Sequence, residues 1–430
     1  MRQIHLKFPN LDLNIGVPSN LRVTFNHLYI DIFWFGVLNG TVLTFINVYA
    51  ARIGASASQI GYISAIPAII AIVFALPAGA WLHKGDSNQK VVISSVLHRM
   101  FYALLILLPL ISSQSLQINL ILLVILIMSL PGTALQVGFN NLFAETVPLK
   151  WRGHVAGVRN ALFAVISVVI LLIAGQILHW VVFPINYQLV FGIGFIGAML
   201  SSLYLWLVTR NHAKSCLAQN DIPMERESDT THEEPSTGTK SSWLITIPEY
   251  KTNRHFYKIM GILFLLNISI FLAAPVFPIF WVNKLGLSDS VISIGNGLFF
   301  ATSFIGSTQI SRLAATYGNR RIIGIGAMLM AFYPIILSIS TGPPLFYVAS
   351  LGGGMASALV GGLLLNYLLE MIPEQSRSPF LSVYNIVLYA AILFGSLAGP
   401  FIGTLIGLPT AMILFALIRL LAGGVVLWKG

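Results

Sequence analysis

The sequence is short of charge, of cysteine and of the signatures of covalent chemistry. Only 9% of its 430 residues are charged, where a soluble globular chain carries about a quarter. Such a chain cannot cover a surface facing water, which excludes a soluble enzyme or binding module and leaves lipid as the solvent. A single cysteine, Cys216, excludes an intrachain disulfide framework and a cysteine-rich metal site. The histidines are scattered and none shows zinc-ligand spacing. No Gly-rich phosphate loop followed by Lys-Ser/Thr is present, so ATP is not expected as a driver. Without clustered acids, bases or metal ligands, neither an enzyme nor a cofactor is expected. The first twenty residues lack the continuous apolar core and cleavage pattern of a signal peptide.

Apolar residues are abundant, at 56% of the chain. They form runs long enough to cross a bilayer, for which about twenty residues suffice. Twelve are expected, near 23–50, 58–82, 89–111, 117–146, 156–180, 187–208, 256–281, 289–315, 321–340, 344–371, 381–406 and 409–428. The runs are continuous, whereas barrel strands would alternate over about ten residues. With the N-terminus in the cytoplasm, 22 of the 24 Lys and Arg fall on that side, and only Arg52 and Lys284 fall outside. The positive-inside rule therefore puts both termini in the cytoplasm of a cell (inner or plasma) membrane. It also accounts for the net charge of +10 without nucleic acid.

Residues 210–255, including "DIPMERESDTTHEEPSTGTKSS", are polar, acidic and too poor in apolar side chains to fold alone. They divide the chain into halves at 1–209 and 256–430, each with six spans. The halves resemble each other. "NNLFAETVPLKWRGHVAGVRN" (140–160) shifted by 225 residues aligns Asn141, Glu145, Pro148, Arg152, Val158 and Asn160 with Asn366, Glu370, Pro373, Arg377, Val383 and Asn385. "GASASQI" at Gly54 matches "GLSDSVI" at Gly286 at a shift of 232. Equivalent loops lie on the same side, so the halves are parallel repeats about an axis along the membrane normal. The expected fold is an all-α integral membrane protein of twelve transmembrane helices in two parallel, pseudo-symmetric six-helix halves.

That arrangement resembles the major facilitator superfamily over nearly the whole chain. The family's loop motif between the second and third spans is matched in part by "GAWLHKGDSNQK" from Gly79, with His83 and Lys84 at its Asp and Arg positions. Between the eighth and ninth spans "RLAATYGNRR" keeps Gly318, Arg320 and Arg321, with Ala315 at the acid position. The fourth span lacks the Arg, and the fifth the Gly-Pro, that many of the family's proton-driven drug exporters carry. A Gly-Pro stands instead in "GSLAGPFIG" on the eleventh span, where small residues would serve close helix packing.

The resemblance implies a secondary transporter moving a small organic solute by alternating access, acting as a monomer in a lipid bilayer. It implies a cavity lined by spans 1, 4, 7, 8, 10 and 11. Polar residues on those spans are the candidates: Thr44, Asn47, Gln136, Asn140, Asn267, Asn296, Ser303, Asn366 and Tyr389. The structural alternative is that they only bond helix to helix. Asp31 is the one acid placed well inside a span, where a charge costs roughly 2.5–3.5 kcal/mol. His27 lies one turn before it on the same face. Together they are candidates for proton coupling; the alternative pairs Asp31 with a base such as Arg99. The cavity is otherwise expected to be uncharged, which leans toward a neutral or amphiphilic solute. Glu145, Arg152, Arg159, Glu370 and Arg377 are read as an ion-paired cytoplasmic gate, with topology anchoring as the alternative. Two other readings stay open: a translocator of lipid or amphiphile, and a non-transporting receptor or scaffold working through its linker.

Overall fold

The computed structural model describes residues 16–220, 254–370, 372 and 377–429. Among the described residues the regular structure is helical, and twelve helices are long and apolar enough to cross a membrane. They are α1 (Leu21–Arg52), α2 (Ala57–His83), α3 (Ser87–Leu110), α4 (Gln114–Thr146), α5 (Leu149–Trp180) and α6 (Ile185–Asn220). The second half comprises α7 (Arg254–Lys284), α8 (Asp289–Tyr317), α9 (Asn319–Ser338), α10 (Pro343–Glu370), α11 (Arg377–Ile406) and α12 (Leu408–Lys429). Lipid offers no hydrogen bonds to the backbone, and helices satisfy it internally.

Two boundaries differ from expectation. α5 starts at Leu149, directly after Pro148, rather than near 156, so Val147 and Pro148 alone join it to α4. Pro148, at φ −56°, lacks only an N–H that a helix start leaves unbonded anyway. α6 runs on to Asn220, because Ala213, Lys214, Leu217, Ala218 and Gln219 are strong helix formers. The polar segment expected from 210 therefore begins in helix, and its stretch 221–253 lies outside the described residues.

The packing repeats as the sequence does. In the first half α1 lies on α5 and α6, α2 on α4, and α3 on α4 and α6. In the second half α7 lies on α11 and α12, α8 on α10, and α9 on α10 and α12. The same operation exchanges the two main contacts between halves, α2 with α11 and α5 with α8. The matched "Gly-x-Ser" turns explain their own sequence. Gly54 and Gly286 adopt φ of +84° and +61°, which favours glycine. Two residues on, Ser56 and Ser288 cap α2 and α8, accepting from the N–H of Gln59 and Val291.

The buried apolar residues show which way the halves tilt. Toward the face opposite the basic loops they form one cluster spanning both halves, from Phe45 and Tyr49 to Phe280 and Phe415. Toward the basic face they separate into two clusters, one around Phe25 and Leu142 and one around Phe256 and Tyr367. The opposite face is thus sealed. At Gly61 a Cβ would lie 2.2 Å from the Ser396 carbonyl of α11 and 3.1 Å from Pro400. At Gly175 a Cβ would lie 2.0 Å from Ser293 Oγ of α8. These contacts occupy equivalent places in the two halves. Above them Arg52 at the end of α1 pairs with Asp289 at 3.0 Å and donates to the Leu287 carbonyl. Tyr187 donates to the other oxygen of Asp289 at 3.0 Å.

Gly61→Leu is expected to wedge this seal apart, at about 1–3 kcal/mol for overpacking. In a Cys216→Ser background, an Asn47→Cys reporter should react with an impermeant maleimide from the opposite face only when Gly61→Leu is present. Labelling that is the same with and without the leucine would show that the contact is not a seal.

Candidate functional site

A cavity of about 670 Å³ lies against the first half, lined by α1 to α6 with Tyr389 and Ile392 of α11. Ile32, Phe35, Leu43, Ile46, Ile63 and Ile125 give it a largely apolar wall. Gln136 and Asn140, both on the wall, are exposed, so the mouth lies toward the basic face. The Tyr389 hydroxyl donates to Gln136 Oε1 at 2.7 Å and ties the halves together at the cavity.

Its charges are concentrated at one level. Asp31, 3% exposed, pairs through Oδ2 with Arg159 Nη1 at 3.1 Å. Ser201 of α6 donates to Oδ1 at 2.5 Å. Arg159 also donates to the Leu28 carbonyl at 2.6 Å and lies 4.9 Å from the centre of the Phe139 ring. Arg99 of α3, 5% exposed, donates from Nη1 to Ser202 Oγ at 2.9 Å. Beside it His98 Nδ1 lies 2.8 Å from the Met128 carbonyl, so that nitrogen carries the proton. Nε2 then accepts from the Tyr102 hydroxyl at 3.3 Å.

Some of the residues singled out from the sequence meet here and others do not. Asp31, Asn47, Gln136, Asn140, Arg159 and Tyr389 line the cavity together. His27 lies one turn from Asp31 but turns to Asn211 of α6, with Nδ1 to Nδ2 at 3.0 Å. Thr44 donates to the Asn39 carbonyl at 2.7 Å, closing a π-helical turn over Asn39–Leu43. Asn267 and Asn296 donate to carbonyls one turn back, at Leu263 and Ile292. Ser303 faces Ser357 of α10 at 3.5 Å, and Asn366 is exposed. Of the second half, α11 reaches this cavity.

The gate residues spread out. Arg159 sits ten residues into α5, about 15 Å from its start, and its acid is Asp31 rather than Glu145. Arg152 donates to the carbonyls of Ala144 and Val147 at 2.7 and 3.1 Å, the unbonded end of α4. A cation there opposes the negative end of the helix dipole. Glu370 accepts from Asn319 at 2.6 Å, tying α10 to the start of α9. Arg377 opens α11, and its side chain lies outside the described residues. Two ion pairs among the described residues are Arg52–Asp289 and Arg159–Asp31.

A family model for the Major Facilitator Superfamily matches residues 30–268 and again 259–429. The chain belongs to the major facilitator superfamily. It is an integral membrane protein of that family of transporters. Multidrug resistance protein 2 of Bacillus subtilis (strain 168) is 24% identical over 157 residues, which are 36% of this chain and 38% of that protein's length. A bacterial homologue of the human lysosomal transporter Spinster, solved inward-facing and unoccupied, superposes with a TM-score of 0.69 at 13% identity. That match covers 96% of this chain and 97% of the other. The nucleoside transporter NupG superposes at 0.63 and 12% identity, over 96% and 99% of the two chains. Likeness at these identities carries the fold.

A cavity charged only at Asp31 is corrected by Arg99 and Arg159 on the same wall. His98, Arg99 and Tyr102 do interrupt an apolar run in the sequence, which was their available signal. Ser129 and Thr133, also on the wall, bond carbonyls of their own helix at 2.5 and 2.9 Å, as isolated hydroxyls in lipid must.

Removing one member of a buried ion pair strands the other, at about 3–5 kcal/mol. Asp31→Asn and Arg159→Gln should each lower the thermal unfolding temperature in detergent. The double substitution should cost clearly less than the two singles added together, since it strands no charge. Strict additivity would mean that the two side chains do not support each other.

Proposed function

We propose that the chain is a secondary transporter that moves a small, partly apolar organic solute by alternating access, with Asp31 as its proton-responsive group. The observation that carries this reading is a cavity between sealed and open faces, with a buried Asp31–Arg159 pair on its wall. Its volume suits a drug-sized or smaller molecule. Ionised, Asp31 holds Arg159 and accepts from Ser201. Protonated, it would lose the charge that holds Arg159, whose guanidinium would turn to solute or water. The groups around it are Arg159, Arg99, His98 and Tyr102, with His27 on its own helix. A proton bound on one side would thus change the charge of the cavity and couple solute to gradient.

The rest of the path belongs to the same proposal. Rocking of the halves would break the Arg52–Asp289 seal and bring Asn267, Asn296, Ser303 and Asn366 toward the solute. Glu145, Arg152, Glu370 and Arg377 would then mark the hinge of a cytoplasmic face, in a cell membrane with the basic loops inside. A lipid-like or amphiphilic solute is the second reading, favoured by the confinement of charge to one level of an apolar cavity. The drug-resistance and nucleoside names of the relatives agree with organic cargo and select none.

Uptake by proteoliposomes across a solute panel, with and without an imposed pH gradient, tests this. The native chain should accumulate its solute only with the gradient, and Asp31→Asn should exchange it without accumulation. Gradient dependence that survives Asp31→Asn would remove Asp31 from coupling, and absence of any carried solute would remove transport.

A further inference from the structure

We infer that the solute carries an anionic group and that Arg99 is its seat, an inference that rests on the transport reading above and gives it a substrate class. The argument begins with a charge imbalance. Among the residues lining the cavity Asp31 is the one acid, against Arg99 and Arg159. Both oxygens of Asp31 are engaged, Oδ2 by Arg159 and Oδ1 by Ser201. The three side chains therefore carry one net positive charge, and Arg99, which feels the charge of Asp31 without bonding to it, is the cation with no ion-pair partner on this wall, in surroundings where such a charge is disfavoured.

Hydrogen bonding points the same way. Arg99 has five N–H donors, and its recorded partner is the neutral hydroxyl of Ser202, itself shared with Ser95 at 2.8 Å. Two other arginines of the chain are taken up by main-chain carbonyls. Arg152 and Arg320 take the ends of α4 and α12. Arg419, equally buried in the second half, donates to the Ser269 and Met330 carbonyls at 2.8 and 3.3 Å, leaves its Nε without an acceptor among the described residues and takes no part in the wall of this cavity. Arg99 instead presents a planar fork at a cavity wall, the geometry that takes a carboxylate through two parallel bonds.

The remaining wall describes the rest of the molecule. Ile46, Ile63 and Ile125 offer it apolar surface. About four turns beyond Asp31 along α1, Asn47 presents a buried Oδ1 that finds no donor among the described residues. An organic anion with an apolar body, and an N–H or O–H remote from its acid, would bond both the free edge of Arg99 and the Asn47 oxygen.

The test uses the full chain in lipid nanodiscs and two probes of one shape, 1-naphthaleneacetate and its uncharged amide, with binding read by calorimetry. The native protein should bind the acid at least about tenfold more tightly than the amide, the scale of one charge-assisted bond. Arg99→Gln should erase that preference. Arg99→Lys, which keeps the charge and loses the fork, should retain part of it. Asp31→Asn should raise it, by removing the competing anion. Equal binding of acid and amide, a preference that survives Arg99→Gln, or no binding of the acid overturns the inference. Proteoliposomes separate the two readings. Equal transport of acid and amide leaves transport standing and removes the anion seat, whereas Arg99-dependent binding without transport does the reverse.

Discussion

Every polar group that enters the bilayer must find its partner inside the protein, and the arrangement of this chain follows from that requirement. The backbone meets it by coiling into helices. Helix ends meet it by borrowing side chains: Arg152 takes the carbonyls at the end of α4 and Arg320 those at the end of α12. Buried side chains meet it pairwise, as when Tyr49 donates to Gln117 at 2.6 Å and Asn39 to Ser167 at 3.1 Å. Asn47 Oδ1, which finds no donor among the described residues, lies on the wall of the cavity beside the sparsely bonded Arg99, while others such as Trp281 Nε1, Ser350 Oγ and Arg419 Nε are left over elsewhere.

The two halves share a frame and differ in content. Their helices pair in the same way, and in their Gly-x-Ser turns a left-handed glycine precedes a capping serine in both. Yet the first half gathers Asp31, Arg99 and Arg159 around a cavity, while the second turns its own buried Arg419 to the Ser269 and Met330 carbonyls. The repeat preserves helix packing and leaves the interior free to diverge. Pseudo-symmetry is accordingly a good guide to which helices touch and a poor one to which residues bind.

The same division explains what could be read from the sequence. Hydropathy gave twelve spans because apolar length is a local property. The repeat placed Ser56 and Ser288 at equivalent turns because a cap is local as well. The start of α5 was read seven residues late, since charged residues from Lys150 to Arg152 look like a loop and yet lie on a helix. Asp31 was visible as a buried acid, but its choice of Arg159 over His27 or Arg99 depends on how α1, α5 and α6 meet. Such meetings join residues 128 and 170 positions apart. No spacing rule reaches across them, and for the same reason the cavity looked uncharged apart from Asp31.

The link between α4 and α5 has a mechanical consequence. Two residues, Val147 and Pro148, leave little slack, so a displacement of α4 is handed directly to α5. α4 brings Gln136 and Asn140 to the mouth of the cavity. α5 is a rod of 32 residues, about 48 Å long, carrying Arg159 at mid-depth and Gly175 in the distant seal. A push at the mouth therefore becomes torque on a lever whose far end is the seal. The solute's own fit would work the door at the other side of the membrane.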